Sequence, residues 1–253
     1  MNGEELGAQR LALLNEMVRP RYASTVVLVR ADGNGGVEVL LTRRPQEMRF
    51  LGGFYVFPGG TVHESDYSES ILARCRGLSG EQARIILKNN QHEASEALGH
   101  WVAVVRELFE EVGVLLCVNE NGEELDVRDP PTRQRIELKR RAIVSKQLNF
   151  GVFLQSENLF CDLARAVYFD HWVTPEIYSM RFDTRFYIAA QPINQTALVR
   201  SEEVTHSLWL SAQDAITRID RRNFPILPPT TTVLQRLARL PSWEQLRSEF
   251  RLP

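Results

Sequence analysis

The chain is poor in lysine and cysteine and has no long apolar run. Only three of its 30 basic residues are Lys (Lys88, Lys139 and Lys146), and the other 27 are Arg. Set against 32 acidic residues, they leave a net charge of −2. The basic excess that grips nucleic acid or an anionic membrane is missing. No apolar run approaches the ~20 residues that cross a bilayer. Cys75, Cys117 and Cys161 show neither CxxC nor Cys/His spacing, which argues against a disulfide framework or a structural zinc site. Each reads as a small core residue in a reducing compartment. The first twenty residues lack an h-region, and Arg251-Leu252-Pro253 is not a peroxisomal address. The expected location is cytoplasmic.

What is present is an ordinary globular balance, 43% hydrophobic and 25% charged over 253 residues. Two β-rich runs, Ala23–Val29 and Val37–Thr42, flank Asp32-Gly33-Asn34-Gly35-Gly36 and predict a hairpin. Tyr55-Val56-Phe57 predicts a short strand ending in a tight glycine loop at Pro58-Gly59-Gly60. Helical patterns cover residues 4–18, 67–91, 93–112, 132–159, 211–218 and 230–240. Strands are expected at 114–118, 164–173, 181–190 and 204–210. Helices and strands interleave without repeat or linker, so the reading is a single α/β (α+β) domain over residues 1–253. Its core spans about 20–240, with helical insertions at 67–101 and 130–160.

The sharpest constellation is Arg106-Glu107-Leu108-Phe109-Glu110-Glu111-Val112-Gly113-Val114. At roughly 100° per residue, Val104, Val105, Leu108, Phe109 and Val112 share one arc. Glu107, Glu110 and Glu111 share another, turned away from it. Glu107 and Glu111 are i and i+4, so they stack on one face. Three such carboxylates repel one another unless they are solvated or hold a cation. Oxygen-only donors favour Mg²⁺ or Mn²⁺ over zinc. The bland alternative is a solvated acidic face with an Arg106–Glu110 surface pair.

Glycine loop and carboxylate helix together resemble the Nudix box, G-x5-E-x7-R-E-U-x-E-E-x-G-U, where U is aliphatic. The second half matches at every fixed position from Arg106 to Val114. Gly60 plus five residues leads to Asp66, where the box has Glu. Between Asp66 and Arg106 stand 39 residues in place of seven, an insertion of 32. Expanded boxes of this kind are similar to those of the animal type 19 coenzyme A diphosphatases and related bacterial proteins. The resemblance continues in Trp172-Val173-Thr174-Pro175, in Arg181-Phe182-Asp183-Thr184 and from Glu203 through Ser211. It implies the Nudix fold, a mixed β-sheet between helices in an α/β/α sandwich.

A second signature of coenzyme A-directed Nudix enzymes, L-L-T-x-R-[SA]-x3-R-x3-G-x3-F-P-G-G, precedes the box. Here it reads Leu40-Leu41-Thr42-Arg43-Arg44, then Arg49, Gly53 and Phe57-Pro58-Gly59-Gly60, with Pro45 replacing Ser or Ala. Arg is the better bidentate partner for phosphate, and Arg44 and Arg49 supply such forks for a substrate rich in phosphate.

The resemblance implies metal-assisted attack of water on a diphosphate bond. Glu107, Glu110 and Glu111 would hold Mg²⁺ or Mn²⁺, and a box Glu or Glu203 would take the proton, with Glu202 the neighbouring alternative. Arg106 and Asp66 would orient the box carboxylates. Arg44, Arg49, Gly53, Gly59 and Gly60 would bind substrate. The implied partner is a small nucleoside diphosphate of the coenzyme A class, not nucleic acid or membrane. ADP-ribose or a nucleotide sugar is the rival substrate, and a non-catalytic ligand sensor the rival role. A homodimer fits the resemblance, but no sequence feature identifies an interface.

Overall fold

The computed structural model describes residues 19–48, 51–88, 93–221 and 224–253. The helix expected over 4–18 and the candidate Arg49 lie outside the described residues. In chain order the elements are β1 (Arg21–Ala31), β2 (Val37–Arg43), β3 (Tyr55–Val56), β4 (Gly59–Thr61), α1 (Glu69–Leu72), β5 (Cys75–Arg76), α2 (Gly80–Leu87) and α3 (Ala94–Val112). Then come β6 (Cys117–Val118), α4 (Pro130–Val144), α5 (Phe150–Ser156), β7 (Phe160–Asp162), β8 (Val167–Val173) and β9 (Phe182–Ala190). The chain closes with β10 (His206–Leu210), α6 (Ala212–Asp220), α7 (Pro228–Leu237) and α8 (Trp243–Phe250).

The main sheet runs β10-β2-β1-β9-β8, with β3 added to β2 and β4 to β1. Only β1 and β9 are parallel among these pairs. Strand β1 is buried on both faces, as its Val-rich run requires. Alternation sends Val26 and Leu28 into a core with α3, and Val27 and Val29 into a second core with α6, α7 and α8. The sheet therefore lies between two helical layers, the α/β/α arrangement that the resemblance implied.

One edge of β1 is divided between two partners. Val29–Ala31 pairs with β2, whereas Ala23–Thr25 pairs with β4. A cleft opens where β2 leaves β1. Pro58-Gly59-Gly60 was expected as a loop, but Gly59–Thr61 forms strand β4, because this stretch of β1 offers unpaired backbone groups that must be satisfied. The strand expected at 114–118 shortens to β6, and the strand expected from Val204 starts at His206. Helix α8 was not anticipated at all.

A small second sheet, β5-β7-β6, aligns all three cysteines: Cys75 and Cys117 both pair with Cys161. They are free thiols. The Cys117 thiol and burial hold Cys161 well above the usual thiol range, so it stays protonated and inert, a packing residue.

Candidate active site

Helix α3 starts at a reciprocal capping box between Glu93 and Glu96 and ends at Gly113. Its apolar arc packs into the core, and Trp101 fixes its height by donating Nε1–H to the Ala166 carbonyl at 2.8 Å. The carboxylate arc faces β4 instead of solvent, which removes the bland surface-pair reading. Glu107 is 7% and Glu111 5% exposed.

Arg106 is buried at the centre of this arrangement. Its guanidinium donates to both Asp66 oxygens, Nε to Oδ1 at 2.8 Å and Nη2 to Oδ2 at 3.0 Å. It also donates to Glu107 Oε1 at 2.7 Å and to the Thr61 carbonyl at 2.9 Å. Burial alone would lower the Arg106 pKa, but Glu107, Asp66 and Glu110 outweigh it and keep the group charged. Asp66 in turn accepts the His63 backbone N–H at 2.9 Å. The two ends of the interrupted box thus meet directly, despite the insertion between them.

Glycine lets β4 pass close to the helix. A Cβ on Gly60 would lie 2.5 Å from the Glu107 carboxyl carbon, so any larger residue would push that carboxylate out of its place beside Arg106. The Gly59 backbone amide lies close enough to the Glu111 carboxylate to pull its pKa down. Glu111 Oε2 is buried without a hydrogen-bond partner. Burial, then Glu107 and Glu203, push Glu111 well above the usual carboxylate range. Burial lifts Glu110 to about 7; Arg106 pulls it down while Glu107 and Glu203 push it up. Glu203, in the segment before β10, is raised by burial and by Glu107.

These groups line a cleft of about 650 Å³. Arg44 forms part of its wall, close enough to pull the Glu111 and Glu203 pKa values down. Gly53 lines neither this cleft nor its neighbour. At φ +79° its N–H donates to the Arg44 carbonyl at 3.1 Å, so it shapes the loop that carries Arg44. Pro45 opens the turn that follows, its carbonyl accepting the Met48 N–H at 3.2 Å.

Sequence reasoning missed several wall residues and one clamp. His63, Lys146 and Asn149 face the cleft, the last two from the turn between α4 and α5. Helix α2, from the insertion within the box, does not reach the cleft, which among the described residues takes only Ile71 from that insertion. Arg140, 1% exposed, is the clamp. It donates to the Glu110 carbonyl at 2.6 Å, to Glu137 at 2.8 Å and to Glu202 at 2.8 Å. Glu202 is thereby held outside the carboxylate cluster, and its neighbour Glu203 is left facing in. The i, i+3 spacing of Glu137 and Arg140 was visible in the sequence; the contact with Glu202 was not.

A family model described as the NUDT19 Nudix domain matches residues 20–237. The chain belongs to the Nudix hydrolases. A Nudix hydrolase from Alicyclobacillus acidocaldarius has a similar structure, with a TM-score of 0.71 and 30% identity over 92% of this chain and 97% of that one. The chain is 26% identical to the acyl-coenzyme A diphosphatase NUDT19 of Xenopus laevis over 79% of its length, and 25% identical to that of Gallus gallus over 83%. It spans 59% and 63% of those two relatives. Among the described residues, no helix is long and apolar enough to cross a membrane.

Nudix hydrolases generally depend on a divalent cation. Among the described residues of this Nudix hydrolase, no group of three acidic, His or Cys side chains is already arranged to hold one. The donors nevertheless suit a hard cation: oxygen only, buried, mutually repelling, with Glu111 Oε2 partnerless.

That electrostatic tension sets a pH dependence. A carboxyl whose folded pKa is raised keeps a proton that the unfolded chain releases. Without cation, stability is therefore greatest at low pH and falls as pH rises from the ordinary 4.5 toward 7 and above. Allowing for partial exposure, Glu110 and its neighbours contribute on the order of 2 kcal/mol. The thermal midpoint in EDTA is expected to fall by about 4–8 °C between pH 5 and pH 8. Added Mg²⁺ or Mn²⁺ should restore it at pH 8 and do little at pH 5. Scanning fluorimetry checks both; a midpoint flat with pH and blind to cation would reject the tension.

Proposed function

We propose that this Nudix hydrolase cleaves the diphosphate of coenzyme A or an acyl-coenzyme A. The products are 4′-phosphopantetheine, free or acylated, and adenosine 3′,5′-bisphosphate. The observation that carries hydrolysis is the partnerless Glu111 oxygen, buried beside Glu107 and Glu203 in a cleft that Arg44 also lines. The names of the two vertebrate relatives and the Arg44, Arg49 and Gly53 spacing support coenzyme A as the substrate class.

Glu107, Glu110 and Glu111 hold Mg²⁺ or Mn²⁺ in this reading. Bound there, the ion neutralises diphosphate charge and makes water a better nucleophile. Glu203 takes the proton of the attacking water, because it faces the cluster while Glu202 is engaged by Arg140. A raised pKa suits a base working near neutrality. Arg44 and Arg49 bind phosphate, and Gly60 lets backbone lie close to the carboxylates. Asp66 and Arg106 position Glu107. A reducing, cytoplasmic setting agrees with three unpaired thiols.

A substrate panel with Mg²⁺ and Mn²⁺ tests the reading. Coenzyme A or its thioesters should exceed ADP-ribose and nucleotide sugars at least tenfold in kcat/KM. The reverse order overturns the assignment. Glu203→Gln should lower kcat by about 10²–10³-fold with little change in KM. A loss below tenfold would remove Glu203 as the base.

A further inference from the structure

A second cleft, of about 330 Å³, adjoins the first. The two share Arg44, Gly59, Gly60 and Thr61. The catalytic cleft lies on the α3 face of the sheet. The second cleft includes Thr25, which alternation places on the same side of β1 as Val27, together with Phe57 and Phe186 of the α6–α8 core. Strand β4 and Arg44 are therefore the threshold between two compartments on opposite faces. A diphosphate bound at that threshold sends one of its arms each way.

The compartments differ in charge. Among the described residues, Arg44 is the sole charged one lining the second cleft, whose other walls are apolar, such as Leu51, Phe182 and Leu227, or carry hydroxyls. The catalytic cleft adds Lys146, which stands at φ +60° in the turn between α4 and α5, and Asn149. The arms of a coenzyme A ester differ in the same sense. Beyond the diphosphate, the nucleoside arm carries a 3′-phosphate, whereas the pantetheine arm carries two amides, a dimethyl group and a thioester, without charge.

We infer that the second cleft holds the uncharged pantetheine thioester arm, so that the phosphorylated nucleoside lies on the Lys146 side. This rests on the coenzyme A reading above. Moving a phosphate dianion into an apolar cleft costs several kcal/mol unless cations meet it. A purine could stack on Phe182 or Phe186, but among the described residues lining the cleft its ribose phosphate would then meet only Arg44, which the diphosphate already engages. The pantetheine arm needs no cation, and Thr25, Thr184 and Thr230 offer hydroxyls to its amides. The cleft volume falls at the small end of the ~300–1,000 Å³ typical of small-molecule sites.

Product inhibition separates the arms. Thr184→Trp fills the cleft from β9. Leu227→Asp places a charge at its wall, and as the N-cap residue of α7 the new carboxylate also favours the helix. Each variant is assayed for thermal midpoint, and for inhibition of acetyl-coenzyme A hydrolysis by acetyl-4′-phosphopantetheine and by adenosine 3′,5′-bisphosphate. The expected result is an inhibition constant at least tenfold higher for the pantetheine product and within twofold of wild type for the nucleotide. If Thr184→Trp does not fold, Leu227→Asp carries the test. A rise confined to the nucleotide gives the cleft to the nucleoside and overturns the inference, as does an equal rise in both or no change in either. Those outcomes leave coenzyme A hydrolysis standing. A wild type that cleaves ADP-ribose but no coenzyme A species overturns both.

Discussion

Glu111→Gln is expected to lower kcat by 10³-fold or more while leaving the cation-free protein as stable as wild type or more so. The two effects have one cause. Glu111 is buried among Glu107 and Glu203, and burial with those neighbours raises its pKa. A neutral amide of the same shape relieves that repulsion. What it loses is the anionic oxygen proposed to hold the cation. A 10³-fold loss corresponds to about 4 kcal/mol of transition-state stabilisation, within the several kcal/mol that a bound divalent ion supplies. Steady-state kinetics in saturating Mg²⁺ and thermal midpoints in EDTA check the pair. Activity above a tenth of wild type would show that Glu111 is not a cation donor. A lower midpoint would show that the carboxylate supports the fold, against the stability–function trade-off expected of a strained site.

The reach of the sequence can be judged at the same residues. The 3.6-residue period placed Glu107, Glu110 and Glu111 on an arc of their own, because a helix fixes angles from spacing alone. It could not say what covers that arc. The cover comes from β4, from Glu203 and from the Arg106–Asp66 pair, contacts between segments far apart in the chain. Strand alternation revealed the β1–β2 hairpin, but glycine carries little strand preference, so Gly59–Gly60 read as a loop until its pairing with β1 was seen. The motif fixed the family because box and coenzyme A signature are local patterns. It was silent on Arg140, whose contact with Glu202 crosses 62 residues. The alignment of Cys75, Cys161 and Cys117 was equally invisible, since no spacing rule anticipates a parallel pairing beside an antiparallel one.

The second large effect concerns the fold as much as the reaction. Asp66→Ala is expected to destabilise the protein by about 3 kcal/mol, lowering the thermal midpoint by about 6–12 °C. Asp66 is fully buried and takes two of the five Arg106 N–H donors. Removing it leaves a buried guanidinium with Glu107, the Thr61 carbonyl and a long contact to Glu110 at 3.5 Å. Those contacts set the cost at the lower end of the 3–5 kcal/mol typical of a broken buried pair. The guanidinium would then be drawn toward Glu107 and Glu110, the groups proposed to hold the cation, so kcat should fall as well. Asp66→Glu restores the carboxylate that the box carries at this position, and it should recover more activity than Asp66→Asn, which keeps the size but loses the charge. If all three variants melt within 2 °C of wild type, the pair does not hold the box together across its 39-residue interruption. If Asp66→Ala melts early while kcat is unchanged in the surviving folded protein, the pair braces the fold without positioning Glu107. The expected coupling of the two losses follows from one guanidinium touching both Asp66 and Glu107, so that the brace of the fold and the alignment of the site are the same set of hydrogen bonds.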